Sequence, residues 1–154
     1  MERINYTVKL IAADVSEQST VILCFYTGDL PSDCAPMPRD PAPAVGLPFD
    51  ERFGIVLADA TRLNPAVHDG AIMIGRTTAD SPYLISGWSF RLFAQAKILS
   101  IETNRGSAFN SCLAMSMVDG VDALYLISKV GAECCVQGRA SSYETQYDGL
   151  SRLR

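Results

Sequence analysis

The stretch Asn64-Pro65-Ala66-Val67-His68-Asp69-Gly70-Ala71-Ile72-Met73-Ile74 changes its hydrophobic period partway along, and that change decides the fold class. Upstream of it, Phe49, Phe53, Val56, Ala60 and Leu63 recur at the spacing of one helix face. Asp50 stands where a cap is needed and Glu51 puts an acid in the first turn, so the pattern predicts an amphipathic helix over 50–63 that ends before Pro65. Downstream, Ala71-Ile72-Met73-Ile74 is an unbroken apolar run between Gly70 and Gly75, the pattern of a strand buried on both faces. Asp69 sits at the junction. A carboxylate there is either a turn former, since Asp-Gly is a common turn dipeptide, or a metal ligand.

Working outward, residues 20–27 (Thr-Val-Ile-Leu-Cys-Phe-Tyr-Thr) are rich in β-branched and aromatic side chains and close on Gly28-Asp29, which predicts a strand. Residues 4–12 (Ile-Asn-Tyr-Thr-Val-Lys-Leu-Ile-Ala) have the same character and are read the same way. Between Leu30 and Pro48 fall six of the eight prolines, so this tract is expected to be a long surface loop, a lid or an arm facing a partner. Two strand-like stretches, Tyr83-Leu84-Ile85 and Phe90-Arg91-Leu92-Phe93, are separated by Gly87. Trp88, the single tryptophan, stands between them, to stack on a base or to pack in the core. Ser107 opens a second helix, with Phe109, Cys112, Leu113 and Met117 on one face and Asp119-Gly120 as its stop. Strands follow at 123–128 and, after Gly131, at 133–137. Strand, helix, strand, helix, strand predicts one α/β domain, a mixed β-sheet flanked by helices, over residues 1–140, with a loosely held polar tail over 141–154.

With 154 residues and 48% apolar composition, the chain can bury a full core without metals or disulfides. No apolar run reaches the ~20 residues of a membrane helix, and the first residues lack a signal-like pattern, so a cytoplasmic protein with no membrane contact is expected. A net charge of −4 with scattered arginines gives no basic stripe for nucleic acid. The five cysteines, at 24, 34, 112, 134 and 135, form no C-x-x-C pair and match neither a disulfide framework nor a zinc site. Most lie in apolar segments, where a free cysteine is a small core residue.

The run 64–74 resembles the S-P-L-H-D-G-A-V-I-I stretch of diadenylate cyclase (DAC) domains, with one residue inserted before His68. Gly120-Val121-Asp122-Ala123-Leu124-Tyr125-Leu126-Ile127-Ser128 is similar to the T-D-A-L-V-I-V-V-S strand of that family, and Gly138-Arg139 falls near its end. The order of elements agrees as well, and the likeness covers residues 20–139. It implies a DAC-like fold in which Asp69 holds Mg²⁺ or Mn²⁺ and addresses the ribose 3′-hydroxyl of ATP. It also implies a phosphate-binding helix start, written G-T-R-H-R-A-A in the family. Here that start reads Gly106-Ser107-Ala108-Phe109-Asn110-Ser111-Cys112: the glycine and hydroxyl remain, while the two arginines and the histidine are Ala108, Phe109 and Asn110. The family's acidic positions after the helix correspond to Met117-Val118 and Lys129-Val130.

The resemblance thus implies nucleotide contacts from His68, Asp69, Gly70, Ala71, Arg105, Gly106, Ser107 and Asn110, with backbone amides of the helix start and Arg105 taking the phosphates. The loss of the cationic triplet favours a nucleotide or nucleotide-signal binding domain with a degenerate site. One alternative is an active, metal-dependent nucleotidyl cyclase with Asp69 as its catalytic residue, making a cyclic dinucleotide from ATP. A second is a protein interaction module without a ligand, docking through the proline loop. Because DAC sites act in facing pairs, the resemblance also implies a homo-oligomer.

Overall fold

The strand predicted at 20–27 forms as β1 (Val21–Thr27), and the apolar run after Asp69 forms as β3 (Ala71–Arg76); the two lie side by side and parallel. Between them the chain makes an edge strand β2 (Cys34–Pro36), the helix α2 (Phe53–Leu63) and a short 3₁₀ turn over Pro65–His68. The structure, a computed structural model, describes residues 2–15, 19–95 and 105–143. After β3 come β4 (Leu84–Leu92), α3 (Gly106–Met115), β5 (Val121–Ser128), β6 (Gly131–Val136) and β7 (Arg139–Tyr143). One seven-stranded mixed sheet results, in the order β2-β4-β3-β1-β5-β6-β7, with every neighbouring pair except β1–β3 antiparallel.

Alternation along the central strands sorts their side chains to two faces. Leu23, Phe25, Ile72, Ile74, Tyr125 and Ile127 face α2 and the N-terminal helix α1 (Glu2–Asp14), whereas Cys24, Met73, Leu124 and Cys135 face α3. Because both faces are covered, β1, β3 and β5 read as continuous apolar runs. The cysteines take the role read from their segments: all five are unbridged, and four are buried. Burial pushes the Cys24 thiol up to about 12 and the Cys135 thiol up to about 11, which keeps them protonated and unreactive at neutral pH.

Four expectations need correction. Residues 4–12 are not a strand but most of α1: Val8, Ile11 and Ala12 lie on one helical face and are buried, so their 3.6-residue spacing overrides β-branched content. Gly87 does not separate two strands. A side chain there would sit 2.2 Å from the Phe90 ring, so Gly87 makes room for that ring inside one irregular strand, β4, whose pairing with β3 shifts register nearby. The proline tract is not a free loop. Cys34, Ala35 and Pro36 pair with Leu92, Arg91 and Phe90 at the sheet edge, where a missing proline N–H is tolerated, and Met37 and Gly46 donate backbone bonds to Ser89 and Ile85. Trp88 is buried beneath this tract and donates Nε1–H to the Ala44 carbonyl at 2.9 Å, so it is a packing residue and no stacking platform. Finally, the polar tail read from Ser141 begins inside β7; its remainder, 144–154, lies outside the described residues. No helix among the described residues is long and apolar enough to cross a membrane.

Candidate functional site

One row of residues across the sheet organises the site. Ile22 pairs with Ala71 on one side and Leu126 on the other, and Leu126 pairs in turn with Glu133. Ala71, Ile22 and Leu126 all belong to the α3 face. The Asp69-Gly70-Ala71 turn therefore opens at the same end and on the same face of the sheet as the start of α3. Three strand spacings separate Ala71 from Glu133, roughly 14 Å.

At the first end of the row, the backbone is tightly specified. Gly70 has φ +85°, and a Cβ there would lie 2.7 Å from the Phe90 carbonyl oxygen and 2.7 Å from the Met37 methyl carbon. Only glycine fits both the conformation and the space. Ala71 is fully buried, so a larger residue would overpack the α3 face. Asp69, in contrast, projects outward: its side chain is 78% exposed, and Arg39 Nη2 stands 3.8 Å from its carboxylate. Arg39 is anchored by Nε–H bonds to the Ala66 carbonyl and the Ser89 hydroxyl. Arg39 escapes a reading by motif, though it is the one basic residue between Leu30 and Pro48.

His68 does not accompany Asp69. It lines a cavity of about 450 Å³ on the opposite face of the sheet, walled by Ile11 and Val15 near the end of α1 and by Leu57, Ala58 and Thr61 of α2. The turn of the chain through the 3₁₀ segment sends the two neighbouring side chains to different faces.

At the other end of the row, α3 begins beside a second cavity, of about 510 Å³, lined by Thr20, Arg105, Ser107, Phe109, Ser128 and Glu133 among others. Arg105 is not an ordinary surface arginine. Its guanidinium forms an ion pair with Glu133 of β6 and lies 4.2 Å over the ring of buried Phe109. Phe109 thus packs in the core and supports Arg105 with its ring. Glu133 Oε2 is buried without a hydrogen-bond partner. Gly106 and Ser107 are exposed at the helix start and Asn110 is half-buried one turn on. Glu133, like Arg39, belongs to none of the motifs read from the sequence and carries no local signal.

The strand that resembles the family's Asp-Ala-Leu segment contributes at the opposite end of the sheet. Asp122 Oδ2 accepts from the Thr27 hydroxyl at 2.6 Å and the Tyr83 hydroxyl at 2.7 Å. Arg76 donates Nε–H to Thr27 Oγ1 and stacks 4.4 Å over the Tyr83 ring. Burial, and after it the hydrogen bond to Asp122, raises the Tyr83 phenol well above its ordinary value. These four side chains tie β1, β3, β5 and the residue that leads into β4 together.

Among the described residues no group of three His, Cys, Asp or Glu side chains stands in a metal-binding arrangement. Asp69 offers a single carboxylate with a guanidinium beside it, so an Mg²⁺ or Mn²⁺ held there would take its other ligands from water and substrate phosphates.

No protein-family profile and no curated protein sequence matches the chain. Solved structures do. A hypothetical membrane spanning protein from Bacillus cereus superposes with TM-score 0.63 at 10% identity over 93% of this chain, which spans 62% of that protein. DacA from Staphylococcus aureus, a diadenylate cyclase solved as an N166C/T172C double mutant, gives TM-score 0.58 at 12% identity over 92% of this chain and 83% of that one. At these identities the likeness concerns the fold alone: this chain has a DAC-like fold, and its own sheet is mixed, seven-stranded and flanked by helices.

Proposed function

We propose that this domain binds a nucleotide or a nucleotide-derived signal across the row from Asp69 to Glu133, and that it does so without efficient catalysis. The observation that carries the reading is the shared face and end of the Asp69-Gly70-Ala71 turn and the α3 start, on a DAC-like fold. Asp69 is free to meet a ribose hydroxyl, and the amides of Gly106 and Ser107 with Arg105 supply the phosphate end. The weakness of the catalytic side follows from the same residues. Phosphoryl transfer depends on cations that neutralise developing charge, and the triplet here is Ala108-Phe109-Asn110, with Arg105 already paired to Glu133. His68, facing α1 and α2, takes no part.

Titration calorimetry against ATP, ADP, cyclic mononucleotides and cyclic dinucleotides tests the reading. Heat from at least one of them, lost in Asp69→Asn, is the expected result; uniform silence from folded protein ends it. The exposed carboxylate of Asp69 favours one second reading, a slow metal-dependent nucleotidyl cyclase. It requires a cyclic dinucleotide to accumulate from ATP with Mn²⁺ or Mg²⁺, and no product after prolonged incubation at high protein concentration removes it. Self-association belongs to both readings and is checked by light scattering.

A further inference from the structure

Among the described residues, Arg105 and Glu133 are the charged side chains that line the cavity at the α3 start, and they are paired with each other. The helix end adds about half a positive charge, so the cavity presents a weakly positive site, not a strongly positive one. A terminal phosphate brings about −1.5 to −2 near neutral pH, and a triphosphate more, all of it close to the Glu133 carboxylate. A phosphodiester brings one delocalised charge, as each phosphate of a nucleic-acid backbone does. Among the described residues, Glu133 Oε2 is buried and has no hydrogen-bond partner, so this carboxylate keeps its negative charge only partly compensated.

From this pairing, and resting on the nucleotide reading above, we infer that Glu133 is the specificity-determining residue of the site: it selects nucleotides whose phosphate is a singly charged diester and disfavours those with terminal phosphates. Glu133 acts by holding Arg105 and by repelling additional negative charge. Its position on β6, one strand beyond Leu126, puts it at the end of the row where a phosphate would lie.

The test compares wild type with Glu133→Gln and Glu133→Ala, using 3′,5′-cyclic AMP and ATP as probes at one fixed salt concentration. Wild type is expected to bind cyclic AMP at least tenfold more tightly than ATP, and each variant to shift that ratio at least tenfold toward ATP. A ratio unchanged in folded variants overturns the inference. If these two probes, ADP and a cyclic dinucleotide all fail to bind any of the proteins, the nucleotide reading fails, and Glu133 is then judged with inorganic tripolyphosphate and with phenylglyoxal modification of Arg105, mapped by peptide mass. The variants should bind tripolyphosphate at least tenfold more tightly than wild type and lose Arg105 to phenylglyoxal faster; no gain in either measurement overturns the role of Glu133 by itself.

Discussion

At one end of the β1–β3 pair, Asp122 accepts two short hydroxyl hydrogen bonds, has Arg76 Nε at 3.9 Å, and the aromatic ring of Tyr83 supports that arginine. At the other end, Asp69 has one cation at 3.8 Å and is mostly in water. The same sheet thus carries two aspartates at turns into strands, and only Asp122 is tied to the fold by side-chain hydrogen bonds. The difference separates a carboxylate that holds elements together from one that is left available. The backbone beneath Asp69 is nonetheless as constrained as anything around Asp122, because Gly70 is pressed against Phe90. Rigid main chain with an uncommitted side chain is the arrangement a binding residue needs.

The comparison can be broken most severely at Gly70. Gly70→Ala places a methyl against backbone at φ +85° and should cost about 3 kcal/mol in urea denaturation, whereas Gly106→Ala, at φ +83° but facing open space, should cost about 1 kcal/mol. Equal costs would mean that the Phe90 contact is not what constrains the turn. Next in size is Asp122→Ala, which leaves the Thr27 and Tyr83 hydroxyls without their acceptor; its partial exposure limits the expected loss to about 2 kcal/mol.

A pH series sharpens the same contrast. The neutral Tyr83 phenol is the form the fold favours, so its contribution is complete below the ordinary value of 10.0 and is lost as pH rises through its raised value. Tyr83→Phe should therefore cost about 1 kcal/mol near neutral pH, and the gap to wild type should shrink above pH 10. A gap that does not change with pH would remove Asp122 as the partner that matters. The smallest effect is expected at the other carboxylate: Asp69→Ala should change stability by no more than about 0.5 kcal/mol, since an exposed pair contributes little. It should nevertheless weaken nucleotide binding at least tenfold. A large stability loss at Asp69 would make it a structural residue like Asp122.

Much of this was readable from residue order because the signals were local. The period of 49–63, the glycine-bounded run 71–74 and the β-branched run 21–27 each specify an element through the face it must bury. Where the reading failed, two local signals competed. In α1 the β-branched residues spoke for a strand while the spacing of Val8, Ile11 and Ala12 spoke for a helix, and packing against α2 and β5 favoured the spacing. In β4 a glycine spoke for a break, while the ring of Phe90 needed the space above it.

What residue order determined, then, is the fold class, the Asp-Gly-Ala turn and the helix that begins beside Ser107, since each is a property of neighbouring residues. What only the tertiary structure decided is which of these meet. Strand register set Ala71, Ile22, Leu126 and Glu133 in one row, sent His68 to the far face and brought Arg39 and Glu133 to positions no motif marks. The physical reason is that hydrogen-bond pairing between strands distant in sequence fixes which side chains share a face, and the pairing is selected by the whole core at once.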